Sequence, residues 1–150
     1  NLLGLNYRMN EISAAIGIEQ IKRFPKFLKI RKRNYNYLVS KISKKKTFDI
    51  IKFENKTFHG SYYCLCLVIN EKKIDRLEII NKLNKQGVGT SIYYPKPIPE
   101  MLYYKKKFGY SSLKYKNAEK FSYRSIALPL GTHLQKKDLN LIAKSINKAL

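Results

Sequence analysis

Two segments of the sequence combine polar side chains with backbone breakers in a way that could do chemistry. The first, residues 4–10, places Asn6 and Arg8 directly before a predicted helix. The free amides of a helix start and a nearby guanidinium together favour an anion, above all a phosphate. The same residues also fit a simple capping loop, and the sequence leaves both interpretations open.

The second segment, residues 91–99, follows a predicted strand and is named the Tyr93 loop. Tyr93 and Tyr94 stand at the mouth of a stretch that Pro95 and two further prolines make rigid. Tyrosine rings there could hydrogen-bond to a sugar or nucleotide, or stack on it. The alternative is packing alone, because side chains alternate along a strand and one of the two tyrosines must face the sheet.

The cysteines and histidines offer little for a metal. Cys64 and Cys66 lie two apart in an apolar run, where a strand would direct both thiols to one face. Zinc needs about four ligands, and His59 and His133 come without a second cysteine pair. We therefore expect buried free thiols and no metal site.

No other pattern in the sequence predicts a catalytic residue. Residues 87–89, Gly-Val-Gly, are too short a glycine run to cradle a phosphate, and they follow a predicted helix instead of opening one. The sequence contains no nucleophile elbow and no carboxylate pair in a glycine or proline loop. We therefore expect the chain to supply only part of a site.

The composition is that of one globular domain with an extreme charge. The 150 residues are 44% hydrophobic, enough for a core without disulfides or metals. Lysine and arginine number 31 against 10 acidic residues, a net charge of +21. Lysine supplies the surplus, which favours a solvated surface, and attraction to a polyanion is the alternative.

Targeting signals are not evident in the sequence. No run approaches the about 20 apolar residues of a membrane-spanning helix, and no charged-then-apolar leader opens the chain. We therefore expect a cytoplasmic protein. The chain starts at Asn1, inside a patterned segment, so we also expect the C-terminal piece of a longer reading frame.

Hydrophobic periodicity predicts two helices at the start of the chain. Asn10 caps the first, whose apolar residues cover so much of its circumference that burial on more than one side is expected. Pro25 interrupts it, and a second helix with an apolar stripe runs to Ser43. Residues 1–43 are thus predicted to be a helical segment, and residues 44–150 a small α+β domain.

The remaining pattern alternates strands with helices. The run at 61–69 is almost continuously apolar, which is typical of a central buried strand, and the prolines exclude 96–100 from any sheet interior. The result is an α+β fold in which helices cover a small sheet. Strands are predicted at 48–53, 61–69, 88–94 and 125–130, and helices at 74–83, 117–123 and 139–150.

Several segments of the sequence resemble those of one known family. Residues 4–11, Gly-Leu-Asn-Tyr-Arg-Met-Asn-Glu, continue through Ala-Ala-Ile-Gly at 14–17 to Gln20-Ile21. This resembles the G-x-N-Y/F-R-M-x-E/D…A-A-I-G…Q-L signature of the DegT-type (DegT/DnrJ/StrS) sugar aminotransferases. Further segments resemble that family in the same order, at residues 31–37, 87–95, 118–119 and 126–130.

The resemblance implies the C-terminal region of a fold-type-I aminotransferase, with long N-terminal helices followed by a small, mostly antiparallel sheet. In such an enzyme residues 1–43 link the large and small domains. The cofactor is pyridoxal 5′-phosphate, and the lysine that holds it belongs to the large domain, so no catalytic residue is expected in this chain. Glutamate or glutamine donates an amino group to a nucleotide-linked keto-sugar, within the biosynthesis of amino sugars and polysaccharides.

The resemblance also implies site residues and a partner. Asn6 and Arg8 would cross the interface of a homodimer to reach the cofactor phosphate or substrate of the partner subunit. Tyr7, Tyr93, Tyr94 and Pro95 would lie near the sugar nucleotide. Many members carry a histidine where this sequence has Tyr93, and another a few residues after the proline, near Pro99.

The alternative function is a stand-alone basic α+β module that binds nucleic acid or another polyanion. Its stacking platforms would be tyrosines beside lysines. The scattered lysines and the absence of a nucleic-acid-binding motif favour the aminotransferase. The candidate platforms are Tyr62, Tyr63, Tyr93, Tyr103 and Tyr104.

Overall fold

The computed structural model describes residues 4, 7–43, 45–52, 55, 57–110 and 115–150. Within them the chain forms an α+β fold, as predicted. A 3-10 turn at Ile98–Glu100 precedes the third helix. In chain order the helices and strands are α1 (Glu11–Lys41), β1 (Phe48–Ile50), β2 (Leu65–Ile69), α2 (Arg76–Lys85), α3 (Leu102–Phe108), α4 (Lys116–Arg124), β3 (Ser125–Leu128) and α5 (Lys136–Ala149).

The sheet is antiparallel and has the order β1-β2-β3. The register of the sheet is seen at Leu67 of β2, which pairs with Ile50 on one side and with Ile126 on the other. All five residues of β2 are buried, as are the four of β3. This agrees with the prediction that residues 61–69 contain a central buried strand, although the strand itself begins only at Leu65.

Helix α1 is one continuous helix of 31 residues, so the prediction of two helices separated at Pro25 was wrong. Proline fixes φ near the helical value and removes one amide donor, which costs about 3 kcal/mol in a helix interior but does not force the chain to turn. The predicted start is confirmed: Asn10 caps the helix, and its side-chain oxygen accepts from the Ser13 amide at 2.8 Å.

The C-terminal half of α1 joins the core. Asn147 of α5 caps the end of α1, because its amide donates to the Lys41 carbonyl at 3.0 Å and its oxygen accepts from the Ser43 amide at 2.8 Å. Asn34 is fully buried and donates to the Gly131 carbonyl at 3.1 Å. The side chains with the least exposure in the core are Leu38, Leu65, Leu67, Ile69, Leu83, Ile126, Leu128, Leu130 and Ile146.

The prediction of a strand over residues 88–94 was wrong. Only an isolated bridge forms there within the described residues, between Ser91 and Ala127. Tyr94 has a left-handed backbone with φ 60°, and Pro95 has no amide to donate, so a ladder cannot extend along this segment. Helix α3 was not predicted as a helix, since its Tyr-Lys-rich sequence has no apolar stripe.

Gly87 ends α2 with φ 79°, as the sequence predicted for a helix C-terminus. Its amide donates to the Asn84 carbonyl at 2.9 Å. Gly87→Ala should lower the free energy of unfolding by about 1–2 kcal/mol, because a Cβ strains the left-handed conformation. Gly89→Ala is the matched control, since Gly89 lies outside that region and a methyl group added to it would meet no atom within 4 Å. Urea denaturation that gave equal losses would contradict this explanation.

Candidate functional site

The start of α1 presents an exposed cationic end. Tyr7 is 87% exposed, Arg8 is exposed, and both precede the Asn10 cap. The first amides of a helix and its dipole favour negative charge, and a guanidinium adds two parallel donors for a phosphate. This end of α1 therefore suits a phosphate group. Asn6 lies outside the described residues.

The N-terminal half of α1 exposes a series of large apolar side chains, named the α1 apolar surface. Burial on more than one side was predicted, and the described part of the chain does not provide it. Single exposed apolar residues are ordinary, but a series along more than three turns of one helix is typical of an interaction surface. The surface comprises Ile12 (75% exposed), Ile16 (58%), Ile18 (55%), Ile21 (74%) and Phe24 (46%).

The Tyr93 loop is anchored to the sheet and to a neighbouring tyrosine. Ser91 and Ala127 exchange backbone hydrogen bonds of 3.0 and 2.8 Å. The ring of Tyr93 lies 5.9 Å from that of Tyr63 at an angle of 49°. A hydrogen bond to Tyr63 raises the pKa of Tyr93, while the Ser91 hydroxyl acts in the opposite direction. Tyr93 is therefore a neutral phenol in a fixed orientation.

Tyr94 points outward from the same loop. It is 71% exposed and adopts φ 60°, a conformation that costs a bulky residue about 1–3 kcal/mol. Such strain persists where surrounding structure imposes it, and it is found preferentially at functional sites. Tyr93 thus contacts Tyr63 and is partly buried, whereas Tyr94 is exposed.

An open groove of about 490 Å³ extends from Tyr94 along the loop. A hydrogen bond from the Tyr123 hydroxyl to the Glu100 carboxylate holds the 3-10 turn against α4 and raises the pKa of Tyr123. Apolar and aromatic walls with one lysine suit a flat ring that carries a negative group. The lining residues are Tyr94, Lys96, Pro97, Ile98, Pro99, Met101, Tyr110, Tyr115, Ala118, Phe121 and Ser122.

The predicted site residues fall into two groups in this chain. Tyr93, Tyr94 and Pro95 lie together in one loop, with Tyr63 as an added neighbour. Tyr7 and Arg8 lie at the exposed end of α1, and the exposure of Tyr7 shows that it does not pack on the Tyr93 loop within the described residues. The single chain therefore has two separate groups of candidate site residues.

Sequence reasoning missed the partners that shape the Tyr93 loop. Tyr63 was considered only as a stacking platform, and the groove residues Tyr110, Tyr115 and Phe121 were not considered at all. Tyr63 lies within the predicted strand at 61–69, but nothing in its spacing identifies a contact 30 positions away. The groove residues come from separate segments, and only the fold brings them together.

Other expectations can be compared with the described residues. No group of three or more potential metal ligands occurs among them, and none of their helices is long and apolar enough to cross a membrane. Of the five tyrosines suggested as nucleic-acid platforms, Tyr62 is buried, at 3% exposure, and therefore cannot stack on a base.

Comparisons with known proteins identify one family, whose match spans both groups of candidate residues. The model of the DegT/DnrJ/EryC1/StrS aminotransferase family matches residues 1–147. UDP-4-amino-4,6-dideoxy-N-acetyl-beta-L-altrosamine transaminase from Campylobacter jejuni is 26% identical over 144 residues, which are 96% of this chain and 38% of that protein. GDP-4-keto-6-deoxy-D-mannose 3-dehydratase from Escherichia coli O55:H7 is 31% identical over 88 residues, 58% of this chain and 22% of that protein.

A solved structure extends the comparison to the fold. Spr1654 from Streptococcus pneumoniae, a proposed sugar aminotransferase, is similar in its PLP form with a TM-score of 0.83 and 25% identity. The match covers 95% of this chain and 36% of that one, so the chain spans well under half the length of its relatives. The expected C-terminal region of a fold-type-I aminotransferase is confirmed. Sequence motifs and fold thus agree that the chain belongs to the DegT/DnrJ/EryC1/StrS aminotransferase family.

Proposed function

We propose that this chain is the C-terminal portion of a pyridoxal-phosphate-dependent aminotransferase that acts on a nucleotide-linked keto-sugar, with glutamate or glutamine as amino donor. The observation that carries the proposal is the family match over residues 1–147, which includes both parts of the site. The transaminase from Campylobacter jejuni aligns with 96% of the chain and the dehydratase with 58%.

The residues at the start of α1 fit the phosphate of such a cofactor. Arg8 is exposed beside a capped helix N-terminus, which is a suitable donor set for a phosphate. We place Asn6 and Arg8 at the cofactor phosphate or the substrate diphosphate. Pyridoxal phosphate, when bound, supplies the electron sink for moving the amino group, and its lysine anchor belongs to the part of the enzyme that precedes this chain.

The Tyr93 loop would bind the sugar nucleotide. The neutral Tyr93 phenol can exchange hydrogen bonds with sugar hydroxyls, and Tyr94 stands at the end of the groove. Pro95 limits the freedom of this loop, so its residues lose little entropy when they bind substrate. Tyr7 would join them from the partner subunit. The high positive charge of the chain would also attract a diphosphate-bearing substrate.

The partner of the α1 apolar surface is proposed to be a second subunit. In a homodimer, a site can be shared across the interface between the subunits. Each chain then exposes two separated parts of that site. Such an enzyme would work in the cytoplasm on precursors of amino-sugar-containing polysaccharides. Charge alone does not favour nucleic acid as a partner, because the lysines are scattered and one of the proposed stacking tyrosines is buried.

The reaction is tested on the protein produced from its own gene. Incubation with pyridoxal phosphate, a UDP- or GDP-linked 4-keto-6-deoxy sugar and glutamate labelled with nitrogen-15 should give an amino sugar that carries the label. Repetition with glutamine labelled at its α-amino nitrogen identifies the donor. A deoxy sugar without nitrogen would show dehydration instead, and an unchanged keto-sugar with every donor and nucleotide would contradict the proposal.

The role of Arg8 is tested by cofactor binding. Arg8→Ala should weaken pyridoxal phosphate binding about 10- to 100-fold, since a hydrogen bond to a charged group contributes about 1.5–3 kcal/mol. Binding of pyridoxal, which lacks the phosphate, should not change. Lys26→Ala removes the same charge from an exposed position on α1 and is the matched control.

Measurements on Arg8→Ala distinguish a contact with the cofactor phosphate from a contact with the substrate diphosphate. If Arg8 contacts the substrate diphosphate instead, cofactor affinity stays constant and the KM for the sugar nucleotide rises. If neither the cofactor affinity nor this KM differs from the Lys26→Ala control, Arg8 has no role at the site.

A further inference from the structure

Cys64 and Cys66 form a close pair of thiols at the start of β2. Their Sγ atoms are 3.4 Å apart, and both cysteines are free. Cys64 immediately precedes the strand, whereas Cys66 is its second residue and pairs with Ala127. The prediction of two free thiols is thus confirmed, but the predicted burial holds only for Cys66, since Cys64 is half-buried.

The two thiols have different surroundings. Cys66 is only 6% exposed, and it lies on the face of β2 opposite the core residues Leu65 and Leu67. Cys64 is only half-buried and lies on the side of the Tyr93 loop, where its charge contributes to the raised pKa of Tyr93. A reagent from solution therefore meets Cys64 first.

The contact between the thiols makes them chemically unequal. A hydrogen bond from the Cys66 thiol to Cys64 lowers the pKa of Cys64, against the effect of burial. The same hydrogen bond, together with burial, raises the pKa of Cys66. Because the thiolate is the nucleophile, Cys64 is the attacking thiol and Cys66 is the resolving thiol.

The geometry permits a bond between the two sulfur atoms. Closing it requires the Sγ atoms to approach from 3.4 Å to about 2.05 Å. Cys64 can move because it lies outside the ladder, which begins at Leu65. Two residues of extended chain span about 6.6 Å, near the upper limit for a disulfide, so the closed form would be readily reduced again.

We propose that Cys64 and Cys66 are a thiol–disulfide exchange site, at which a small disulfide is reduced and the two cysteines become joined. The Cys64 thiolate attacks one sulfur of the small disulfide, forms a mixed disulfide and releases the first thiolate. Cys66 then gives up its proton, and its thiolate attacks the Cys64 sulfur. The Cys64–Cys66 bond forms, and the second small thiolate leaves.

The electrons and protons of this sequence balance. The two cysteines together lose two electrons and two protons, and the small disulfide gains them as two thiols. No other oxidant is required, since the small disulfide itself accepts the electrons. The proposal does not depend on the proposed aminotransferase activity, because each step involves only the cysteines and the reagent.

The test uses dithiobis(nitrobenzoate) with the protein produced from its own gene, read by thiolate release and intact mass. The wild type should release two thiolates from this pair and end without an aromatic adduct, lighter by two hydrogen atoms. Cys66→Ser should release one thiolate and keep the adduct on Cys64. Cys64→Ser should react at least about tenfold more slowly than Cys66→Ser, since Cys66 is buried.

The double variant Cys64→Ser/Cys66→Ser gives the background from any other cysteine. The mass of the wild-type product tests the proposal even if a variant fails to fold. Two stable aromatic adducts on the wild type would overturn the proposal. So would equal rates for the two single variants, or no adduct on Cys66→Ser.

Discussion

Leu38→Ala is expected to lower the free energy of unfolding by about 2–5 kcal/mol. Leu38 has no exposed surface and lies in the half of α1 that joins the core. The substitution removes apolar contacts and leaves a cavity that its neighbours fill only in part. A small domain has a total stability of about 5–15 kcal/mol, so this one change would remove a large fraction of it.

The comparison for Leu38→Ala is Leu77→Ala on α2. Leu77 is 56% exposed, so the same chemical change there should alter stability by no more than about 0.5 kcal/mol. Urea denaturation followed by circular dichroism measures both variants. Similar losses for the two would mean that α1 contributes little to the core, and would contradict the packing described for its C-terminal half.

The sequence predicted the elements whose signals are local. Asn10 caps α1 and Gly87 ends α2 as predicted, and β2 lies within the apolar run at 61–69. Pro25 misled the prediction because its local effect is the loss of one amide. The 31-residue helix continues past it, and tertiary hydrogen bonds at Asn34 and Lys41 hold its C-terminal half.

The candidate site was predictable only where one segment carries it. Tyr93, Tyr94 and Pro95 are consecutive, and their pattern predicted a loop beside a ligand, with packing on the sheet as the alternative. The contact of Tyr93 with Tyr63, and the groove that Tyr115 and residues of α4 complete, depend on how separate elements pack. Spacing along a chain does not encode such contacts, because each depends on the path of the whole backbone.

The dithiol and the Tyr93 loop lie side by side for a topological reason. The Ser91 bridge places the start of the loop on β3, and β3 pairs with β2 beside Cys66. Tyr63 and Cys64 are consecutive residues at the entrance to β2, so one contacts Tyr93 by its ring and the other influences it by its charge. A bond between the cysteines would therefore change the surroundings of Tyr93.

The α1 apolar surface leads to the second prediction with a large effect, which rests on the proposed homodimer. Ile16 is 58% exposed in the single chain, and a dimer would bury it. Ile16→Gln removes apolar contact worth about 1.5–3 kcal/mol and places an amide that finds no partner in an apolar interface. A two-fold interface contains the change twice. The dissociation constant of the dimer should therefore rise at least about 100-fold.

The matched control for Ile16→Gln is Lys22→Gln, which introduces the same residue at a position of the same helix that is already polar. Lys22 pairs with Glu19 at 2.7 Å, and both side chains are more than half exposed, so this surface ion pair contributes little. Sedimentation of the longer protein over a range of concentrations measures both variants. If Ile16→Gln lowers the free energy of unfolding but leaves the dimer intact, the surface is covered by another part of the same subunit. An unchanged dissociation constant would thus show that α1 does not lie in the subunit interface.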